Sequence, residues 1–213
     1  MAKNILIFCA HSDDESLGMG GTIAKYVAEG KNVIVVIFSY GEASLPHLKP
    51  GYVKEIRLKE IEEASKLLGT QEAIFLGLPD AKLKEYEGSR EVITKVRKII
   101  RKYNPEKIFT HSQTDPHHPG DHKAVHNIVT KAVKGIKKEY DLFNFEVWNI
   151  FPENRPVMYV DISKYFKKKI KAISIFKSQW FSILLTIIPI YIRAKKFGLK
   201  AGYKYAEKFY KIR

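Results

Sequence analysis

Cysteine is almost absent from this sequence. Cys9 is the only one among 213 residues, so no intrachain disulfide is possible and stability has to come from burial. Its place inside the apolar run NILIFC makes it a small buried hydrophobe, and so few thiols fit a reducing, cytoplasmic setting. Long apolar runs are missing too. The longest, WFSILLTIIPIYI at 180–192, contains Pro189 and falls short of the roughly 20 residues a membrane-spanning helix needs. Near the start of the chain, charged residues interrupt the first apolar stretch before a signal-peptide core forms, so export is not expected. Acids are outnumbered: 23 Asp plus Glu against 37 Lys plus Arg leave a net charge of +14. Such an excess attracts phosphates, nucleotides or acidic lipid headgroups, although a solvated lysine-rich surface explains the same balance. Repeats, low-complexity linkers and internal boundaries are also lacking. With 45% hydrophobic residues, the chain suits one domain, residues 1–213, with a full core.

What is present alternates between strand and helix. Residues 4–10 are continuously apolar, 16–29 follow a helical pattern up to Gly30, and NVIVVIFS at 32–39 is β-branched and apolar on both faces, as a doubly covered parallel strand requires. After a Gly- and Pro-bearing loop at 40–51, Val53, Ile56, Ile61, Ala64 and Leu67 or Leu68 recur at helical spacing and stop at Gly69, a C-terminal signal. AIFL gives a third strand. Ser89 is placed to cap a helix running to about Tyr103, KIFT at 107–110 is a fourth strand, and Asp121 is placed to cap a helix bearing HKAVHNIVTKAV. Beyond residue 140 we expect strands near 145–150 and at 157–161, then two or more helices. The class is α/β: a Rossmann-like, mostly parallel sheet with helices on both faces.

Ligands of such sheets bind beyond the carboxyl ends of the strands. Two polar stretches stand there: HSDDE after the first strand and THSQTDPHHPGDH after the fourth. Adjacent carboxylates raise one another's pKa, so a chain that crowds them has a cation to hold or a proton to move. The glycines of GMGG do not make a dinucleotide fingerprint. They begin eight residues past Ala10, Ile23 stands where the last glycine belongs, and the carboxylates in the turn would repel a pyrophosphate. They read instead as positions that let the first helix pack closely on the sheet. The two loops together offer His11, Asp13, Asp14, Glu15, Asp115, His117, His118, Asp121 and His122. Imidazoles with carboxylate and no thiolate suit Zn2+ or another divalent transition metal in a catalytic site of three protein ligands and one open position; the bland alternative is a salt-bridged, helix-capping surface loop.

AHSDDE followed by a glycine-bearing helix, together with THSQTDPHHPGDHKAV after a later strand, resembles the LmbE-like or PIG-L-type deacetylases. These are metal-dependent enzymes that remove acetyl groups from N-acetylglucosamine-containing substrates. The resemblance extends through GE at 41–42, IRLKE at 56–60, LGLPDAKL at 76–83, SQ at 178–179 and the terminal GYKYAEKF. It implies His11, Asp14 and His122 as metal ligands, Asp13 as general base, and an upstream histidine that stabilises the oxyanion, His118 being preferred and His117 held in reserve. It further implies that Arg57 and Asp80 hold sugar hydroxyls or a neighbouring anionic group. Alternatively, Arg57 pairs with Glu60 along its helix and Asp80 shapes a turn. Asp121 caps its helix or orients a histidine, and His126, one turn further on, reads as structural.

Two departures stand out: Ser12 replaces the family's usual proline, and Pro119 and Gly120 put one residue too many between His118 and Asp121. The segment 180–192, apolar nearly all round, needs cover from the core, a homo-oligomer or a membrane surface. The favoured function is N-deacetylation of an amino-sugar conjugate, phosphate- or lipid-linked. The alternatives are hydrolysis of another amide or ester and a non-enzymatic basic module for anionic surfaces; no nucleic-acid recognition motif is present.

Overall fold

Alternation along the first strand sets the architecture. In β1 (Asn4–Cys9), Ile5, Ile7 and Cys9 face one side of the sheet while Leu6 and Phe8, followed by Ala10, face the other, and all six are fully buried. A strand buried on both faces needs parallel neighbours and helices above and below. The computed structural model, which describes residues 2–116, 120–148 and 156–212, supplies both. Its other strands are β2 (Asn32–Ile37), β3 (Glu72–Phe75), β4 (Lys107–Thr110), β5 (Asp141–Asn144), β6 (Val157–Asp161) and β7 (Ala206–Lys211). They form one seven-stranded sheet in the order β3-β2-β1-β4-β5-β7-β6. The first five are parallel, and β7 runs antiparallel to both β5 and β6. The helices are α1 (Asp14–Ala28), α2 (Pro50–Leu68), α3 (Arg90–Tyr103), α4 (Asp121–Lys134), α5 (Phe166–Ile173) and α6 (Trp180–Ala201). Helices α1, α2, α5 and α6 cover one face, and α3 with α4 covers the other.

The expected boundaries hold through α4 with one correction. Ser89 caps α3 by accepting the Val92 N–H, and Gly69 ends α2 in the left-handed region. Asp121, however, is the first residue of α4 and not its cap; Gly120 takes that position at φ 103°, leaving the Asp121 carboxylate for other partners. Later in the chain the strand expected near 145–150 is displaced to β5 at 141–144; residues 149–155 lie outside the described residues. Phe143, Phe145 and Val147 alternate into the core. Pairing with β4 nevertheless stops at Asn144.

Strand β7 was not expected at all, and it settles the geometry of α1. That helix breaks at Met19 (φ −148°, ψ 23°), which strips Gly21 and Thr22 of their ordinary helical acceptors. Their N–H groups donate instead to the two carboxylate oxygens of Glu207 on β7, at 3.1 and 2.7 Å. Lys169 of α5, also buried, donates to the same carboxylate at 2.6 Å. Glu207 therefore restarts the helix from a distant strand, as an N-cap carboxylate would. The GMGG glycines do serve close packing, but against loops and α5 and not the sheet strands themselves. A Cβ on Gly18 would overlap the Phe145 ring, and one on Gly21 would come within 2.8 Å of Ile162.

Candidate metal centre

From β1 the chain runs to β2 and β3 on one side, then crosses back to place β4 on the other side of β1. The carboxyl ends of β1 and β4 thus flank the point where strand order reverses, the crevice in which open α/β sheets bind ligands. Ala10–Asp14 leaves β1 there, and 111–116 leaves β4.

Asp14 sits at the centre. One carboxylate oxygen accepts the His11 N–H at 2.8 Å. His122 Nε2 lies 3.2 Å from Oδ1, His111 Nε2 3.1 Å from Oδ2 and His11 Nδ1 3.7 Å from Oδ2. The far nitrogens of two of these rings meet carboxylates. His122 Nδ1 is 3.2 Å from Asp115, and His11 Nε2 is 3.1 Å from Asp80 and 3.5 Å from Asp121. An imidazole whose outer nitrogen is held by a carboxylate, leaving the inner one to face a shared centre, is the usual arrangement of a metal-ligating histidine. Donor atoms of His11, Asp14 and His122 all lie within 4.8 Å of one another. Two overlapping groups, His111–Asp115–His122 and His11–Asp80–Asp121, meet the same distance criterion. Only the first has all three members on the open cavity, and only the first leaves each histidine its supporting carboxylate. The chain's residues therefore fit a zinc-type ion at His11, Asp14 and His122.

His111 plays a different part. It is fully buried, its ring stacks on His122 with centroids 3.8 Å apart, and its Nε2 accepts the Ala10 N–H at 3.0 Å. The same Nε2 lies 3.1 Å from Asp14 Oδ2, so His111 packs Asp14 and His122 into place from beneath the cavity, which it does not line. His126 is structural as expected, with Nδ1 2.9 Å from the His111 carbonyl.

Charge follows this geometry. Burial disfavours ionised His122, but the Asp14 charge and its hydrogen bond to Asp115 outweigh it and lift the pKa to about 9. His11 is likewise raised, burial being overcome by hydrogen bonds to Asp121 and Asp80. Burial and the neighbouring His122 charge push His111 down to about 4. Against its own burial, Asp14 is held well below the carboxylate range by His122 and His111. Burial lifts Glu15 to about 8, with the Asp13 and Asp14 charges adding to it. The side-by-side acids of HSDDE are thus not three equal charges: the last is a neutral carboxyl whose Oε1 accepts the Ser16 hydroxyl.

Asp13 lines the same cavity outside all three donor groups. Its Oδ1 is 3.3 Å from Arg57 Nη2, which corrects the pairing of Arg57 with Glu60. Glu60 instead accepts the Ser178 N–H and hydroxyl at 2.7 and 2.6 Å, tying α2 to the turn before α6. Asp80 does more than shape its turn. It accepts the Ala43 N–H at 2.8 Å while its own N–H donates to Glu42, so the loop after β2 fixes the carboxylate that faces His11. The cavity, about 210 Å³, is lined by these residues together with Gly41, Ser44, Trp148, Gln179 and Ser182. His117 and His118 lie outside the described residues. Sequence reasoning passed over His111 and gave Asp115 no role; for His111 the usable signal was its position directly after β4.

A model of the PIG-L family, described as GlcNAc-PI de-N-acetylase, matches residues 6–133, from β1 through both site loops to α4. A Bacillus cereus protein named probable N-acetyl-alpha-D-glucosaminyl L-malate deacetylase 2 is 29% identical over 84% of this chain and 84% of its own length. Several longer relatives are spanned over only about half their length. Among solved structures, N,N'-diacetylchitobiose deacetylase from Pyrococcus horikoshii superposes with a TM-score of 0.83 at 27% identity, covering 99% of this chain and 84% of that one. GalB, the 4-carboxy-2-hydroxymuconate hydratase from Pseudomonas putida KT2440, reaches 0.84 at 24% identity over 99% of this chain and 96% of its own. The sheet alone therefore does not choose the reaction.

Proposed function

We propose, from the premise that this chain belongs to the PIG-L family of GlcNAc-PI de-N-acetylases, that it is a zinc-dependent N-deacetylase of a GlcNAc-containing conjugate. The observation that carries this reading is a carboxylate, Asp14, set between two histidines each backed by its own carboxylate, with a second carboxylate, Asp13, beside them in one open cavity. A divalent metal held by His11, Asp14 and His122 supplies a Lewis acid and a water of lowered pKa. Asp13, outside the donor groups, takes the proton of the attacking water and returns it to the departing amine, as general acid–base catalysis requires. Arg57 fixes one oxygen of Asp13 for that task. Arg57 also lines the cavity beside Asp13, so the substrate-binding role expected for Arg57 stays in the proposal. Asp80, and Asp121 with it, are assigned to orient His11. The oxyanion role of His118 rests on the resemblance.

A phosphate- or lipid-linked aglycone matches the chain's positive charge, and the buried lone Cys9 is in keeping with a cytoplasmic setting. The test is acetate release from GlcNAc, its oligomers, UDP-GlcNAc and GlcNAc–inositol conjugates. We expect turnover of at least one, loss on chelation with recovery on adding zinc, and a fall in kcat of about 10²–10⁴ for Asp13→Asn with the bound metal retained. Acetate release from none of them, or an Asp13→Asn enzyme of unchanged kcat, overturns the reading; cleavage of other amides or esters alone would transfer the site to that chemistry.

A further inference from the structure

Helix α6 is only half covered. Ile190, Ala194 and Phe197 turn into the core, while Trp180, Phe181, Leu184, Leu185, Ile188 and Ile192 are each at least 55% exposed. From Phe181 onward these follow the i, i+3, i+4, i+7, i+11 spacing of a single helical face. The core reading of segment 180–192 therefore fails for that face. An apolar surface of this extent marks an interaction site. The groove beside it, about 420 Å³ and lined by Val147, Trp148, Leu185, Pro189 and Ile192 among others, shares Trp148 with the metal-centre cavity. Ser182, also on α6, lines that cavity, so whatever covers the face comes to lie at the mouth of the site.

Charge selects the occupant. From residue 162 to residue 206 the sequence holds eleven Lys and Arg and no Asp or Glu, so this segment carries most of the protein's net charge. Exposed Lys177 precedes α6, and exposed Lys196 continues its face. A second copy docking symmetrically would set such lysines against their equivalents, whereas an anionic lipid surface neutralises them and takes up the apolar row. Aromatic residues at the ends of the row, Trp180 and Tyr191, suit the headgroup level. No single helix among the described residues is long and apolar enough to cross a membrane, and α6 is bent by 80° from α5; the geometry is that of a helix lying on a surface.

We propose that the exposed face of α6 docks this protein on an anionic bilayer, with the opening of the metal-centre cavity at the lipid interface. Docking does not depend on the reaction proposed above, and the two are read separately: vesicle binding by sedimentation, catalysis by acetate release from a water-soluble GlcNAc conjugate. The probe is vesicles of phosphatidylcholine with and without phosphatidylglycerol, whose negative surface potential attracts basic segments. The full chain should sediment with the anionic vesicles and much less with the neutral ones. Leu184→Glu and Ile188→Glu, on exposed positions outside both cavities, should each weaken binding by on the order of tenfold, and Lys177→Glu with Lys196→Glu should weaken it further. All four should leave turnover of the soluble conjugate unchanged. Three outcomes overturn the proposal: no sedimentation of the wild type, sedimentation unaffected by Leu184→Glu and Ile188→Glu, or a stable oligomer that Ile188→Glu dissociates without any vesicle binding. The last would assign the face to a second copy.

Discussion

Removing the metal should make the stability of this protein fall as pH rises through neutrality. In the metal-free centre His122 holds its proton to about pH 9 against an ordinary value of 6.5. A group whose folded pKa is raised contributes stability that is complete below its unfolded value and lost as pH climbs through its folded one. The gap is worth about 3 kcal/mol, lost between about pH 6.5 and 9. The same interaction underlies the depressed value of Asp14, so the two are not counted twice. Glu15, raised to about 8, slopes the same way but over a lower window, from about 4.5 to 8; Glu15→Gln removes it and leaves the upper window to His122 and the likewise raised His11. Metal has to displace the protons of His122 and His11, so its affinity should climb roughly tenfold per pH unit for each proton displaced. The assay is urea unfolding of chelator-stripped and zinc-loaded protein at pH 6.5, 7.5, 8.5 and 9.5, with proton release on zinc binding measured calorimetrically in two buffers of different ionisation enthalpy. Asp115→Asn, which removes the carboxylate on His122 Nδ1, should flatten the stripped protein's slope above pH 8. Stripped Glu15→Gln protein of constant or rising stability between pH 6.5 and 9.5, or zinc binding without proton release at pH 7, would refute the placement of His122 and His11 against their carboxylates.

Two further outcomes test the supporting groups. Asp80→Asn should lower zinc affinity by about 10–100-fold, the usual cost of losing the partner of a ligating histidine, as read by competition with a chromogenic chelator. It should also flatten the acid limb of the stripped protein, because Asp80, held by His11 near pH 2, contributes stability above about pH 4 that is lost as pH falls through about 2. Glu207→Gln leaves Lys169 buried with no opposing charge and weakens the restart of α1, so unfolding free energy should drop by about 3–5 kcal/mol; a loss under about 1 kcal/mol would show that Glu207 does not hold the broken helix.

The first half of the fold was legible because each element there carries one simple period. Both-face apolar runs gave β1 and β2, and helical spacing with Gly69 or Ser89 at a boundary gave α2 and α3. The second half was harder because its elements pair charges with charges far along the chain. Lys169 and Glu207 are both buried and lie 38 residues apart; each alone reads as a surface residue, and so β7, whose sequence AEKFYK looks solvated, went unrecognised. The site divides in the same way. The candidate ligands are legible in the sequence, since His11, Asp14 and His122 stand directly after strands or at a helix start. Their supports are not. Arg57 has Glu60 one turn ahead on its own helix, a natural partner by spacing, yet the structure turns Glu60 to Ser178 and Arg57 to Asp13, 44 residues away. Which acid meets which base is decided by packing, and packing is what local pattern leaves out.

That division explains how three consecutive acids can share one turn. Were Asp13, Asp14 and Glu15 equivalent, mutual repulsion in a buried turn would unfold it or leave all three protonated. They differ because the sheet order brings a different partner to each: α2 delivers Arg57 to Asp13, the loop after β4 and the start of α4 deliver His111 and His122 to Asp14, and Glu15, turned inward, meets the Ser16 hydroxyl but no opposing charge among the described residues and keeps its proton. All these partners converge because β1 and β4 are neighbours whose onward connections leave in opposite directions, so no crossover helix closes the gap between their ends. A metal centre is possible there because topology opens the crevice. It is a deacetylase candidate and not merely an ion site because one of the three acids, Asp13, is held by an arginine instead of being spent as a ligand.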